Sequence, residues 1–393
     1  MIVDLVGRGV ELALRVPLAP VLLAARWTRA SAAPEGDIPV ARLSPALALK
    51  MAMDEVFFLT EVFSATLVSP RAGTRLREET AAALALFERR GWLDTPAGYH
   101  PAPPPLKPLT VDAARARGLR FTHLRFTSGY APDPEEPGRE RWLAHRANQT
   151  AHAWVLEHVD RPRPWLVCVP GYRMGHPLID FTGFPAAWLH LRRGLNVVIP
   201  VLPLHGPRKA GRRSGDGFLS GDYVDTVHMQ AQAVWDVRRI VGWLRERGVG
   251  PVGLYGVSLG GYTAALVSAL EDDLACVIAG MPATCYLGLT RANVPAILLR
   301  AAAVLGMPWE LIERLLRVIS PLAFVPRVPP ARRYLFAGVA DRLVPPCDVS
   351  ALWRHWERPR LAWYEGGHVS FRWERTVRGL LHEALDASGL VAS

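Results

Sequence analysis

From residue 119 onward, short apolar runs alternate with stretches of helical periodicity. The runs fall at 119–126, 151–158, 165–169, 196–201, 252–255, 276–279, 334–336 and 361–364. Helical stretches at 225–246 and 261–271 separate several of them. Strands that alternate with helices predict an α/β architecture: a mostly parallel sheet with helices on both faces. The first two runs are joined by a polar, proline-containing loop at 131–148, and direct pairing of those two would be antiparallel. Residues 287–330, rich in Leu, Ala and Val, read as a helical, lid-like insertion between two strands. At 393 residues the chain is long for one domain, so a core domain at 119–393 with an attachment at 1–118 is expected.

The attachment has a helical texture. Residues 46–67 place Leu49, Met53, Val56, Phe57 and Phe63 at close to helical spacing. Residues 74–92 carry Glu78 and Glu79 early and Arg89 and Arg90 late, an order that suits a helix dipole. Residues 99–108 are proline-rich and read as a linker. Residues 10–25 are mostly apolar, but Arg15, Pro17 and Pro20 interrupt them, which disfavours a transmembrane helix. Ala30-Ser31-Ala32 could pass for a signal-peptidase site, yet Asp4 and Glu11 stand where a signal peptide is basic. An amphipathic helix, docked on the protein or in peripheral contact with a membrane, fits better. A cytoplasmic protein with this one membrane contact is the expectation.

The net charge is +10, carried almost wholly by Arg, with only Lys50, Lys107 and Lys209 as lysines. The cations are scattered, so charge alone supplies no nucleic-acid recognition, and no such partner is expected. The four cysteines include no C-x-x-C pair. Cys168 and Cys276 lie in apolar runs and read as core. The chain has no H-E-x-x-H helix, no phosphate loop and no dinucleotide fingerprint, and neither metal nor organic cofactor is expected.

Gly256-Val257-Ser258-Leu259-Gly260 matches G-x-S-x-G. Roughly 0.1 chance matches are expected per chain of this length, so context decides. The motif follows the apolar run at 252–255 and opens a helix at 261, the strand–turn–helix setting of a nucleophile elbow. Such a turn strains the serine backbone and requires small neighbours two residues away, here Gly256 and Gly260. A serine hydroxyl needs a base. Of twelve histidines, His368 follows a strand and the turn Glu365-Gly366-Gly367 near the C-terminus, on a loop at a strand end. The orienting carboxylate is assigned to Asp341, directly after the strand at 333–336; Asp348, beyond Pro345-Pro346, is the rival acid and better suited to starting a helix. For an oxyanion, the N–H of Leu259 is one expected donor and that of Tyr172, after the third run, the other. Arg173, Arg208 and Lys209 are candidate contacts to an anionic part of a substrate.

Gly256 to Gly261, Asp341 and Gly366-Gly367-His368 together resemble the alpha/beta-hydrolase superfamily. Within it the chain most resembles the group of alpha/beta hydrolase domain-containing protein 18. Gly206-Pro207-Arg208-Lys209, Gly250-Pro251-Val252-Gly253 and Glu365-Gly366-Gly367-His368-Val369-Ser370 carry that likeness. The superfamily pattern covers about residues 119–385 and leaves the first 118 unexplained. Many relatives have His-Gly where this chain has Pro170-Gly171, which puts the second oxyanion donor in doubt. The resemblance implies acyl-ester chemistry without fixing a substrate. A serine esterase acting on a small-molecule or lipid-like ester is the expected function. An acyltransferase or peptidase using the same triad, or a catalytically silent scaffold that binds lipid or a partner, are the alternatives.

Overall fold

A computed structural model describes residues 36–62, 70–248, 250–294, 296–304 and 306–391. The helix expected at 10–25 lies outside them. The described residues open with α1 (Pro45–Val62) and α2 (Pro70–Arg89). They continue through β1 (Pro108–Ala116), β2 (Leu119–Thr127), α3 (Arg139–Leu143), β3 (Thr150–Leu156), β4 (Trp165–Val169), α4 (Pro177–Gly183) and β5 (Asn196–Val201). Then come α5 (Tyr223–Glu246), β6 (Val252–Val257), α6 (Leu259–Ser268), β7 (Val277–Gly280), α7 (Tyr286–Asn293), α8 (Ala296–Val304) and α9 (Trp309–Leu315). The chain ends with β8 (Arg333–Gly338), α10 (Pro346–His355), β9 (Arg360–Tyr364) and α11 (Arg375–Ala387).

The nine strands form one sheet in the order β1-β2-β3-β5-β4-β6-β7-β8-β9. β1, β2, β3 and β5 pair antiparallel, and every pairing from β5 through β9 is parallel. The parallel strands are buried on both faces, as continuous apolar runs require. Val167, Val169 and Leu254 face the side covered by α2, α5 and α6. Leu166, Cys168 and Tyr255 face the opposite side, against Phe184, Leu189 and the α11 residues Leu381 and Leu385. β4 lies between β5 and β6, so the chain reverses its direction of travel across the sheet there. Ligands of open α/β sheets bind in the crevice at the C-terminal ends of strands at such a point.

Three expectations change. The segment before residue 118 is not helical throughout, because β1 forms the sheet's edge. Arg117 (φ 50°) and Gly118 (φ 79°) make the two-residue turn into β2, the left-handed pair that matches strand twist. β1 is exposed along nearly its whole length, so no alternation of buried and polar residues marked it. The insertion at 287–330 is not lid-like over its second half. Ile312, Leu315, Leu316, Val318 and Ile319 are buried in the main core, and α9 packs on α2 and α5.

The third change concerns α1. Its apolar stripe faces the protein only in part: Leu49 is 66% exposed and Val56 63%, while Met53 and Phe57 are half-buried. The buried face instead carries Leu47, Met51, Asp54 and Glu55. Two carboxylates are tolerated there because polar partners meet them, as described below. Among the described residues no helix is long and apolar enough to cross a membrane.

Candidate active site

Ser258 sits on the turn between β6 and α6 with φ 56° and ψ −119°, a region that non-glycine residues rarely occupy. Its amide donates to the Gly280 carbonyl at the end of β7 (2.8 Å), and its carbonyl accepts from Tyr262 (2.9 Å). The turn is closed by backbone approaches that leave no room for side chains. A Cβ at Gly256 would collide with the Gly260 carbonyl, and one at Gly260 with the Val169 carbonyl of β4. The loop after β4 lies against the elbow: a Cβ on Gly171 would fall 3.4 Å from the Ser258 Cβ. Leu259, the first residue of α6, and Tyr172, on the loop after β4, are the expected oxyanion donors and follow the adjacent strands β6 and β4.

His368 lies beyond β9, and its Nδ1 is 2.6 Å from Asp341 Oδ2. The other Asp341 oxygen accepts from the amides of Leu343 and Val344, both at 2.9 Å. These bonds hold the carboxylate still while its free edge orients the imidazole. Burial by itself would lower the His368 pKa. The Asp341 carboxylate, through charge and hydrogen bond, and Asp54 outweigh burial and raise it above the usual imidazole value. The rival acid is engaged elsewhere. Asp348 lies in the first turn of α10 and accepts from the Thr284 amide (3.1 Å), and burial pushes its carboxyl up to about 6. Asp341→Asn should therefore lower kcat by about 10⁴-fold. Asp348→Asn should leave turnover within a few-fold of wild type. Steady-state kinetics on the two variants checks the assignment.

The candidate anion-binding residues are corrected in part. Arg208 is fully buried. It pairs with Asp236 at 2.8 Å and donates to the carbonyls of Val201 (2.8 Å) and Asn148 (2.9 Å). Burial pushes Arg208 down and Asp236 up, and their mutual attraction opposes both shifts. A guanidinium used this way pins the end of β5 to the middle of α5 and is closed to substrate. Arg208→Ala would leave a buried carboxylate unpaired and should cost about 3–5 kcal/mol, read by urea denaturation. Arg173, with φ 69°, is held by Glu61 (2.5 Å) and Asp216 (2.6 Å) and lies over the Tyr172 ring. Lys209 is exposed.

Two residues that the sequence reading missed come from α1. The buried Asp54 carboxylate accepts the amides of His368 (2.7 Å), Val369 (2.9 Å) and Arg342 (3.0 Å). Seven residues on, Glu61 accepts from Tyr172 Oη (3.0 Å) and Arg173. The available signal was their register: Lys50, Asp54 and Glu61 share one helix face by spacing. Nothing local said what they would meet.

A family model described as "Alpha/beta hydrolase domain containing 18" matches residues 190–291. Two uncharacterized proteins of Mycobacterium tuberculosis, MT2702 of strain CDC 1551 and Rv2627c of strain H37Rv, are each 42% identical over 356 residues. The alignments cover 90% of this chain and 85% of theirs. Among solved structures, acetyl xylan esterase 1 from Thermoanaerobacterium sp. superposes with a TM-score of 0.51 at 16% identity, over 76% of this chain and 99% of that one. An acetyl xylan esterase from Paenibacillus sp. R4 gives 0.50 at 17%, over 74% and 92%. The elbow on a mostly parallel sheet, the family match and the long alignment to relatives agree: the chain belongs to the alpha/beta-hydrolase superfamily, in one family with the two Mycobacterium tuberculosis proteins, and over residues 190–291 is similar to alpha/beta hydrolase domain containing 18.

Proposed function

We propose that the protein is a serine hydrolase that cleaves carboxylic esters with lipid-like acyl groups through Ser258, His368 and Asp341. The observation that carries this reading is the strained Ser258 on the β6 elbow, together with a histidine–carboxylate pair at 2.6 Å on loops of the same sheet. The loops that bear the three residues follow β6, β8 and β9 of one parallel run of strands. Asp341 accepts a hydrogen bond from the Nδ1–H of His368, which keeps that proton on Nδ1 and leaves Nε2 as the base. Ser258 Oγ gives its proton to Nε2 and forms a bond to the acyl carbon. The carbonyl π electrons move onto oxygen, where the N–H groups of Leu259 and Tyr172 stabilise the charge. Collapse breaks the bond to the leaving alcohol, which takes the proton from His368. Water then gives a proton to Nε2 and attacks the acyl-enzyme, and the acid leaves as Ser258 regains its proton. An apolar substrate is in keeping with the Leu-, Ala- and Val-rich stretch at 287–330, where Ile297 and Val304 of α8 are exposed.

The test is fluorophosphonate labelling with peptide mapping, followed by hydrolysis of esters of increasing acyl length. Label on Ser258 and faster cleavage of longer chains are expected. Folded protein that takes no label would overturn the nucleophile. Cleavage confined to short, water-soluble esters would overturn the lipid-like substrate.

A further inference from the structure

We propose that Asp54, on a helix outside the strands and loops that carry the catalytic groups, is a positioning residue for His368. The proposal rests on the serine-hydrolase reading above. α1 precedes the sheet by more than 40 residues of chain, yet one of its faces is built into the loops around the catalytic base. Lys50 donates to the Glu365 carbonyl (2.7 Å) and pairs with Glu374 (2.6 Å). Glu55 pairs with Arg342, next to Asp341. Between them, the Asp54 carboxylate gathers three backbone amides, from 342, 368 and 369.

Those three amides belong to the two loops that hold Asp341 and His368. One carboxylate therefore sets the spacing of acid and base without touching either side chain by hydrogen bond. Gly367 reflects the close approach, since a Cβ there would fall 2.8 Å from the Asp54 carboxyl carbon. Glu61 carries the same helix to the loop after β4, through Tyr172 and Arg173. Seven helical residues rise about 10 Å, so α1 spans the site from the base side to the oxyanion side.

Three donors can be satisfied by a carboxylate with two oxygens and about four lone pairs. An asparagine offers one oxygen and turns an N–H₂ group toward N–H donors, so it is isosteric but wrong in polarity. Asp54 also acts by charge. Burial, reinforced by Asp341, pushes its carboxyl up to about 6 despite the three donors. Above that pH it is an anion that favours the protonated form of His368. The other charged or titratable groups around the pair are Asp341 and Arg342 after β8, Tyr364 and Glu374 around the His368 loop, and Lys50 and Glu55 on α1.

The test compares wild type with Asp54→Asn by two readouts. The first is the pH profile of kcat/KM, with kcat and KM separated. In Asp54→Asn the plateau of kcat should fall about 10- to 100-fold with KM little changed, because the base is displaced rather than the substrate site. The acid limb should move to lower pH, since the lost negative charge lowers the His368 pKa. The second readout is an NMR titration of His368 in histidine-labelled protein, assigned with His368→Gln. It needs no turnover, so it separates this proposal from the serine-hydrolase reading. If wild type takes no fluorophosphonate, that reading fails, and a lowered His368 pKa in Asp54→Asn still supports the coupling. An unchanged His368 pKa, or an unchanged plateau and limb, would overturn the positioning role. If Asp54→Asn does not fold, Asp54→Glu serves: it keeps the charge but not the reach. It should retain the His368 pKa while kcat falls, and wild-type kcat in that variant would overturn the proposal.

Discussion

Ser258→Ala should take no fluorophosphonate label and lose about 10⁴- to 10⁶-fold in kcat, while its unfolding midpoint stays close to wild type. Activity vanishes because the acyl-enzyme has no atom to form on. Stability holds because the elbow is fixed by backbone contacts, the Ser258 amide to Gly280 and the Tyr262 amide to Ser258, which alanine preserves. Alanine also bears the φ of 56° at much the same cost as serine. Residual hydrolysis near the wild-type rate in this variant would show that another residue attacks the substrate. Labelling intensity and steady-state rate on one ester, measured with a thermal melt on the same sample, decide between these outcomes.

Gly260→Ala should be strongly destabilising for a single methyl group, costing more than about 4 kcal/mol or preventing accumulation of folded protein. The added Cβ would be driven into the Val169 carbonyl, with the Pro170 carbonyl 2.6 Å away, and both are backbone atoms of β4 and its loop. Neither can yield without moving a central strand of the sheet or the loop that bears Tyr172. The control is the same change in α11, where a Cβ on Gly379 meets nothing within 4 Å. There alanine should stabilise by about 0.5–1 kcal/mol, through lower unfolded-chain entropy and better helix propensity. Urea denaturation of the two variants side by side reads both signs. Equal stabilities would mean that the elbow is looser than its backbone distances state.

Much of the site is legible because it is encoded by neighbours. The glycines around Ser258 are required by a turn six residues long. The run of apolar residues before the turn and the helix after it define the elbow within about 20 positions. The order Ser258, Asp341, His368 follows from which strand each residue ends. Choosing Asp341 over Asp348 on the sequence rested on the helix start after Pro345-Pro346; the structure places Asp348 in that first turn, on the Thr284 amide. Arg208 shows the reverse. A cluster of cations after a strand reads as a surface, yet one of them turns inward to Asp236, 28 residues away. The inward turn is decided by the packing of α5 on the sheet, which no short window reports.

The chain's own patterns determined the alternation of strands and helices, the mostly parallel sheet, the elbow and the loops that bear Asp341 and His368. Hydrophobic period and glycine sterics act between near neighbours, so they are written in consecutive residues. Only the tertiary structure decided which face of α1 is buried, that β1 is the sheet's edge, and that Asp54 reaches His368 across 314 positions of sequence. The apolar spacing of α1 is a local signal that the fold overrules in part: Leu49 and Val56 are exposed, while Met53 and Phe57 are half-buried. What overrules it is a set of amides and an arginine supplied by distant loops, whose attraction to two carboxylates exists only once the sheet has brought them together.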